Sequence, residues 1–382
     1  MAGVYNSAIL TVMAGSGSDS HTGLLNPRSW VPNSVSIPYT DEHGTKSFSI
    51  YISNLSSYLD EIQKGPLYSR AWVLQERLLS KRELIFGKQQ LYWNCSGRVQ
   101  HETGILNKLT FLPYYGTGSE YQMFANPQIQ TPEPANHLWV WQKLVSDYSI
   151  CSLTYESDKL PSLSGLAQIY AQRTGKTYAA GMWLEEMPSS LLWWNLTPAP
   201  QLAQSTQAEQ NCIPSWSWAS TQAKRDTVRF LNDHNFELEV LRAKVNLAST
   251  DPYGRVSPGC QLFVKGRLRA ARLVKGSAID YRRFCTFDVQ DDQLYQTRFD
   301  LESVDGCYLG SALLDYDRDE SPLAVYCLEV APSVNGIYYL VLEQVGDIDE
   351  FRRLGIGNYY DSGNKVKEEV FSGVEKTRIV LI

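Results

Sequence analysis

A chain of 382 residues, 43 % hydrophobic and 20 % charged, has the make-up of a soluble globular protein with room for two domains or one elaborated one. The net charge of −6, with never more than two Lys or Arg adjacent, excludes the electrostatic footprint of a nucleic-acid or anionic-membrane binder. The seven cysteines (95, 151, 212, 260, 285, 307, 327) are odd in number, scattered and without a C-x-x-C pair, which argues for a reducing compartment and against a disulfide framework or structural zinc. No apolar run approaches a membrane span and no leader-like segment opens the chain, so a cytoplasmic location is expected.

In chain order, Met1–Ala8 reads as a helix end feeding a buried strand at Ile9–Ala14, with a loop at Gly15–Ser20. Leu67, Ala71, Leu74 and Leu78 form one apolar helical stripe, with Pro66 suited to the first turn. Trp72, Gln75, Glu76 and Leu79 lie on another face of that helix. Glu83–Phe86, a turn at Gly87-Lys88, and Leu91–Trp93 predict a hairpin. Residues 100–136 are rich in Gly, Pro and Thr and read as a linker. Beyond it, Leu138, Trp141, Val145 and Tyr148 mark one amphipathic helix, and Leu160, Leu163, Ala167 and Tyr170 a second, capped by Ser157-Asp158. Helical spacing is expected to continue from Met182 to Trp194. From residue 214 onward, β-type runs recur between turn signals: 215–219, 228–231, 236–245, 261–268, 283–289, 307–314, 323–330, 336–342 and 377–382.

Residues 65–97 also resemble the R-[AG]-W-x-L-Q-E-R…L-S-x-R…F…Q-x-x-W-x-C block of fungal heterokaryon-incompatibility (HET) domains. The opening Met1–Ala14 resembles the M-x-x-[IV]-Y-x-x-A helix and following strand that lie about halfway through such a domain. Weaker likenesses run through 153–167, 214–220 and Phe351–Gly357. The family's L-S-Y-x-W-G and W-I-D-x-x-C-I-x-Q motifs find no counterpart, so the resemblance implies a HET-like domain without its N-terminal half. The expected fold is α+β: an incomplete α/β HET-like layer over 1–110, a linker at 111–136, a helical segment at 137–200 and an antiparallel β-rich body at 201–382.

No standard catalytic motif is present. Gly15–Ser18 is too short for a phosphate-binding glycine loop, and there is no G-x-S-x-G elbow. The five histidines show no metal-ligand spacing, and no metal or cofactor is expected. Asp315, Asp317 and Asp319 mimic a calcium loop, but position 6 is Glu320 and position 12 is Tyr326, so they and Asp291-Asp292 read as solvated loops. Asn54, Asn94 and Asn195 head chance N-x-S/T triplets.

The candidate catalytic residues are Glu76, Arg70 and Gln75. If its face lines a cavity, burial makes Glu76 a proton donor. The alternative is an ion pair to Arg70 or Arg82 that ties helix to hairpin. Trp72, Tyr92, Trp93, Trp193, Trp194, Trp216 and Trp218 are candidate substrate contacts, with 216 and 218 on one strand face; core packing uses such residues as readily. The resemblance implies non-self recognition leading to cell death, or a regulatory remnant of it. HET-like proteins also occur in fungal biosynthetic gene sets, and that resemblance, together with elimination and the missing front half, implies a cofactor-independent cyclase or isomerase, such as a pericyclase of Diels-Alder type, acting on a small hydrophobic terpenoid or polyketide of fungal secondary metabolism. That chemistry needs only a shaped cavity and one or two hydrogen-bond donors.

Overall fold

The computed structural model describes residues 2–19, 21–25, 33–52, 62, 64–95, 98–102, 121–125, 134–195, 199, 212–221, 228–230, 235–276, 299–318, 322–333, 336–360 and 370–382. The fold is α+β and divides into two units, Met1–Gln130 and Thr131–Ile382. The expected strand at 283–289, Asp291-Asp292, Asn54 and most of the expected linker lie outside the described residues.

The first unit contains α1 (Ala2–Ser7), β1 (Thr11–Met13), β2 (Asn33–Asp41), β3 (Gly44–Ile52), α2 (Ala71–Leu79), β4 (Arg82–Phe86), β5 (Leu91–Cys95), β6 (Arg98–His101) and α3 (Gln122–Ala125). Its sheet runs β1-β4-β5-β6, with β1 parallel to β4 and the other pairs antiparallel. The β4–β5 hairpin closes where the Gly87 N–H donates to the Gln90 carbonyl. Met13, Ile62, Tyr68, Ile85 and Tyr92 form the core, with Leu67 packed against it.

Three expectations are corrected here. The opening strand is not buried: as an edge strand β1 hides Met13 while leaving Val12 half exposed, and Ile9 just before it is 81 % exposed. Pro66 lies in a turn ahead of α2, whose N-cap is the extended Arg70. The supposed linker begins within β6, and its described residues at 121–125 and 134–136 are helical, with Tyr121, Met123 and Phe124 buried.

The second unit opens with α4 (Pro134–Ser149), which buries Val140, Trp141, Leu144, Val145 and Tyr148, and α5 (Ser164–Thr174), which buries Leu166, Ala167 and Tyr170. Ser157 and Asp158 belong to a separate 3-10 turn at Glu156–Asp158. A second turn at Pro161–Leu163 leads into α5, whose N-cap Leu163 makes no side-chain capping bond.

The expected helix over 182–194 is instead the hairpin β7 (Tyr178–Ala179) and β8 (Met182–Trp183), a short α6 (Met187–Ser190) and β9 (Trp193–Asn195). Met182, Trp183, Met187, Leu191, Leu192 and Trp193 are all buried, on more faces than one helical stripe supplies, and Glu185 alone of 182–194 is exposed. β9 pairs with β10 (Val228–Phe230).

The remaining strands are β11 (Glu239–Lys244), β12 (Gln261–Lys275), β13 (Phe299–Glu302), β14 (Tyr308–Leu314), β15 (Leu323–Ser333), β16 (Gly336–Gln344), β17 (Glu350–Tyr360) and β18 (Lys376–Leu381). They form one sheet that closes on itself: β12 pairs β13, and the path runs through β14, β17, β16 and β15 back to β12, every step antiparallel. The first half of β12 carries β11 and β18 on its two sides. Leu273, Leu301, Leu314, Cys327, Tyr339, Val341 and Leu354 belong to one buried cluster of this sheet. Gly357 faces Tyr339 across the β16–β17 ladder, and a Cβ there would lie 2.1 Å from the ring. Only glycine lets Tyr339 cross β17 and donate from its hydroxyl to the Leu309 carbonyl at 3.1 Å.

Candidate functional site

The nominated residues divide between the units. In the first, α1 packs on α2 and brings the Tyr5 hydroxyl close to the Glu76 carboxylate. Burial, then the Glu76 carboxylate, push Tyr5 up to about 12. Glu76 is half-buried, and no ion pair to Arg70 or Arg82 is found among the described residues. Arg70 and Arg82 are exposed, and Arg82 reaches the Ile9 carbonyl at 3.5 Å. Gln75 is wholly buried, on the inner side of α2 rather than on the outer face beside Glu76. Tyr92 is a core residue whose hydroxyl accepts from Gln90 Nε2 at 3.1 Å, whereas Trp72 and Trp93 are half-buried.

Sequence reasoning missed the acid that the unit encloses. Glu83 alternates with Ile85 onto the buried face of β4, and both are at most 1 % exposed. Its cross-strand partner Asn94 donates from Nδ2 to Glu83 Oε2 at 2.5 Å. Glu83 Oε1 and Asn94 Oδ1 are enclosed without a hydrogen-bond partner among the described residues. Arg77 stacks its guanidinium 3.8 Å above the Tyr68 ring and acts on Glu83 by its charge. Burial nonetheless dominates and pushes the Glu83 carboxyl up, with Arg77 and Asn94 opposing. The signal was available: inward alternation from Ile85 places residue 83 inside.

In the second unit the tryptophans are structural in their contacts. Residues 214–220 do not form the expected strand. Ser217 donates its N–H to the Pro214 carbonyl and its hydroxyl accepts from Ala219 N, making a turn and a 3-10 turn at Trp218–Ser220. An alternating Ser-Trp pattern imitates a strand, but a serine that caps a turn breaks it.

Trp218 Nε1 and Trp141 Nε1 both donate to the Gly181 carbonyl, at 2.8 and 3.0 Å, and Ser217 Oγ donates to the Ala180 carbonyl at 2.6 Å. These three donors hold the two-residue tip of the β7–β8 hairpin, where Ala180 (φ 47°) and Gly181 (φ 95°) are both left-handed. Trp193 Nε1 donates to the Trp216 carbonyl at 3.0 Å. Trp194 and Trp216 are buried.

Arg353 stacks 3.5 Å above Trp193, and its guanidinium donates to Asp315 at 2.9 and 3.2 Å and to the Leu191 and Trp193 carbonyls. Asp315 is therefore a buried ion-pair partner and not part of a solvated loop. Burial pushes its carboxyl up and the Arg353 charge opposes that. Among the described residues no cluster of three or more His, Cys, Asp or Glu is placed to hold a metal, and no helix is long and apolar enough to cross a membrane.

The family model of the heterokaryon incompatibility protein (HET) matches residues 1–76, which take in α1, β1 and most of α2. The match is confined to this first fifth of the chain. The HET match thus covers Tyr5, Arg70, Trp72, Gln75 and Glu76, while Glu83, Tyr92, Trp93 and the whole second unit lie beyond it. Comparison with curated proteins and with solved structures finds no match.

Proposed function

We propose that the chain acts in heterokaryon incompatibility, as the matched HET family does by its description. The observation that carries this reading is the HET match itself, which falls on the helices that bring Tyr5 to Glu76. In this reading the first unit bears the death-inducing signal, and the Tyr5–Glu76 contact fixes α1 on α2 so that one surface is presented. Inducible expression of the full chain in a filamentous fungal host is expected to arrest growth. Tyr5→Phe is expected to weaken the arrest while the protein still accumulates. Undiminished growth at high protein level would refute the reading.

One observation favours a second reading, a cofactor-independent cyclase or isomerase acting on a hydrophobic secondary metabolite. Glu83 is an enclosed carboxyl held above the usual carboxylate range, with an unpartnered oxygen beside Asn94 and the Arg77 charge. A neutral carboxyl donates a proton or a hydrogen bond to a carbonyl, which is the one polar service such a reaction requires. Deletion of the gene is then expected to remove one cyclised metabolite, restored by purified protein without added cofactor and not by Glu83→Gln. An unchanged metabolite profile excludes it.

A further inference from the structure

The first half of β12 lies between β11 and β18, and the register sorts the side chains of the three strands onto two faces. Leu262, Val264, Ile379 and Leu381 are buried on the inner one. The outer face carries Arg242 and Lys244 from β11, Lys265 and Arg267 from β12, and Lys376 and Arg378 from β18. The Arg242 guanidinium lies 4.0 Å from the centre of the Phe263 ring, its cross-strand neighbour on that side. Lys265 stands directly opposite Arg378, and Arg267 opposite Lys376. Like charges so placed repel unless an acid intervenes.

Three acids do so. Glu239 meets Lys265 at 3.8 Å, Glu237 meets Lys376 at 3.3 Å, and Glu329 meets Arg267 at 2.6 Å. Arg242, Lys244 and Arg378 are exposed and form no ion pair among the described residues. The chain as a whole carries −6, so these cations are a local excess set against the bulk charge.

Two of the three sit on a free edge. Among the described residues β11 pairs only with β12, so the backbone groups along its other side have no strand to bond. The register shift between Val240 and Arg242 gives Leu241 no partner in β12 and leaves Arg242 and Lys244 at alternate positions on one face. A second copy of this chain, paired edge to edge, would bring those cations against each other. An acidic strand meets no such repulsion, so the same charges that refuse a copy select it.

We propose that the β11 edge accepts an extended peptide carrying Asp or Glu at alternate positions, added to the sheet as a further strand. Two acids spaced two residues apart share one face of the incoming strand and fall opposite Arg242 and Lys244, with Cβ atoms about 5 Å away. Main-chain bonds to β11 supply affinity, and the charges choose the sequence. A uniform polyanion such as nucleic acid fits less well, because Glu237 and Glu239 interrupt the cations and a phosphate backbone cannot continue the ladder. The site lies in the second unit, beyond the HET match, and does not rest on the incompatibility reading.

The experiment titrates the folded full chain into a fluorescein-labelled peptide of alternating Glu and Val and reads anisotropy. Hydrogen exchange of the β11 amides is followed on the unaltered chain with and without peptide. Saturable binding is expected, with slower exchange along 239–244. Arg242→Glu combined with Lys244→Glu is expected to weaken binding about tenfold or more. Methylation of alternate peptide nitrogens, which keeps every charge and removes ladder donors, should weaken it by about as much. The exchange and methylation arms use the unaltered protein, so the test stands even if the variant misfolds. No saturable binding up to about 1 mM, equal affinity for the methylated peptide, or tighter binding of an oligothymidylate of the same charge overturns the proposal.

Discussion

Asp315→Ala tests what the second unit gains from its buried ion pair. Both residues are at most 3 % exposed, so water cannot replace either partner. Removal of the carboxylate deletes two charge-assisted bonds, at 2.9 and 3.2 Å, each worth about 1.5–3 kcal/mol. It strands the Arg353 charge on two backbone carbonyls and one indole face. The expected loss is about 3–5 kcal/mol, the usual range when one member of a buried pair is removed. In a unit of about 250 residues that lowers Tm by roughly 6–20 °C. The double variant Arg353→Met with Asp315→Leu removes the stranded charge but leaves the Leu191 and Trp193 carbonyls unmet. It should cost less than the sum of the single changes by about 2 kcal/mol or more. Urea unfolding followed by tryptophan fluorescence suits the measurement, because Trp193 lies directly under the guanidinium. A loss below about 1 kcal/mol for Asp315→Ala, or strict additivity in the double variant, would refute the reasoning.

Two further expectations concern other buried groups. The carboxyl of Glu83 is raised in the fold, so its contribution to stability is complete below the unfolded value, near 4.5, and is lost as pH rises through the folded one. Glu83→Gln should therefore gain on the parent in thermal melts as pH rises above about 4.5, and a difference that does not change with pH contradicts the assignment. Gly181→Ala would place a Cβ 2.9 Å from Trp218 Nε1 at φ 95° and is expected to cost about 2–4 kcal/mol. Gly175→Ala, left-handed at φ 71° but with open space around it, should cost only about 1 kcal/mol, so equal melting shifts would rule out a role for the Trp218 clamp.

The sequence was readable where one face of an element meets water. The α2 and α4 stripes and the β4–β5 hairpin stand where periodicity put them, because each element buries one face more fully than the other and the pattern survives. It failed at 182–194, where burial falls on several faces and Glu185 alone is exposed. It also failed where a polar side chain serves the backbone: Ser217 turns what looked like a strand into a clamp. No strand is expected from sequence at β17, although Phe351–Gly357 carries a weak family likeness, because two glycines and two arginines suppress the β signal. The glycines are there for the Tyr339 ring and the neighbouring β14 backbone, and Arg353 is there for Asp315. For the candidate site, the choice of Glu76 followed its aromatic neighbours in sequence, whereas enclosure is decided across strands, where Asn94 meets Glu83.

The ring formed by β12–β17 has no first or last strand, and this decides how the second unit comes apart. In an open sheet an outer strand can peel away and leave the rest folded. Here the loss of any ring strand exposes two ladders at once and opens the shared core to water. Amides around the ring should therefore exchange through one common, near-global opening rather than in graded steps. The open four-stranded sheet of the first unit has no such protection, and its β1 margin is free to breathe on its own.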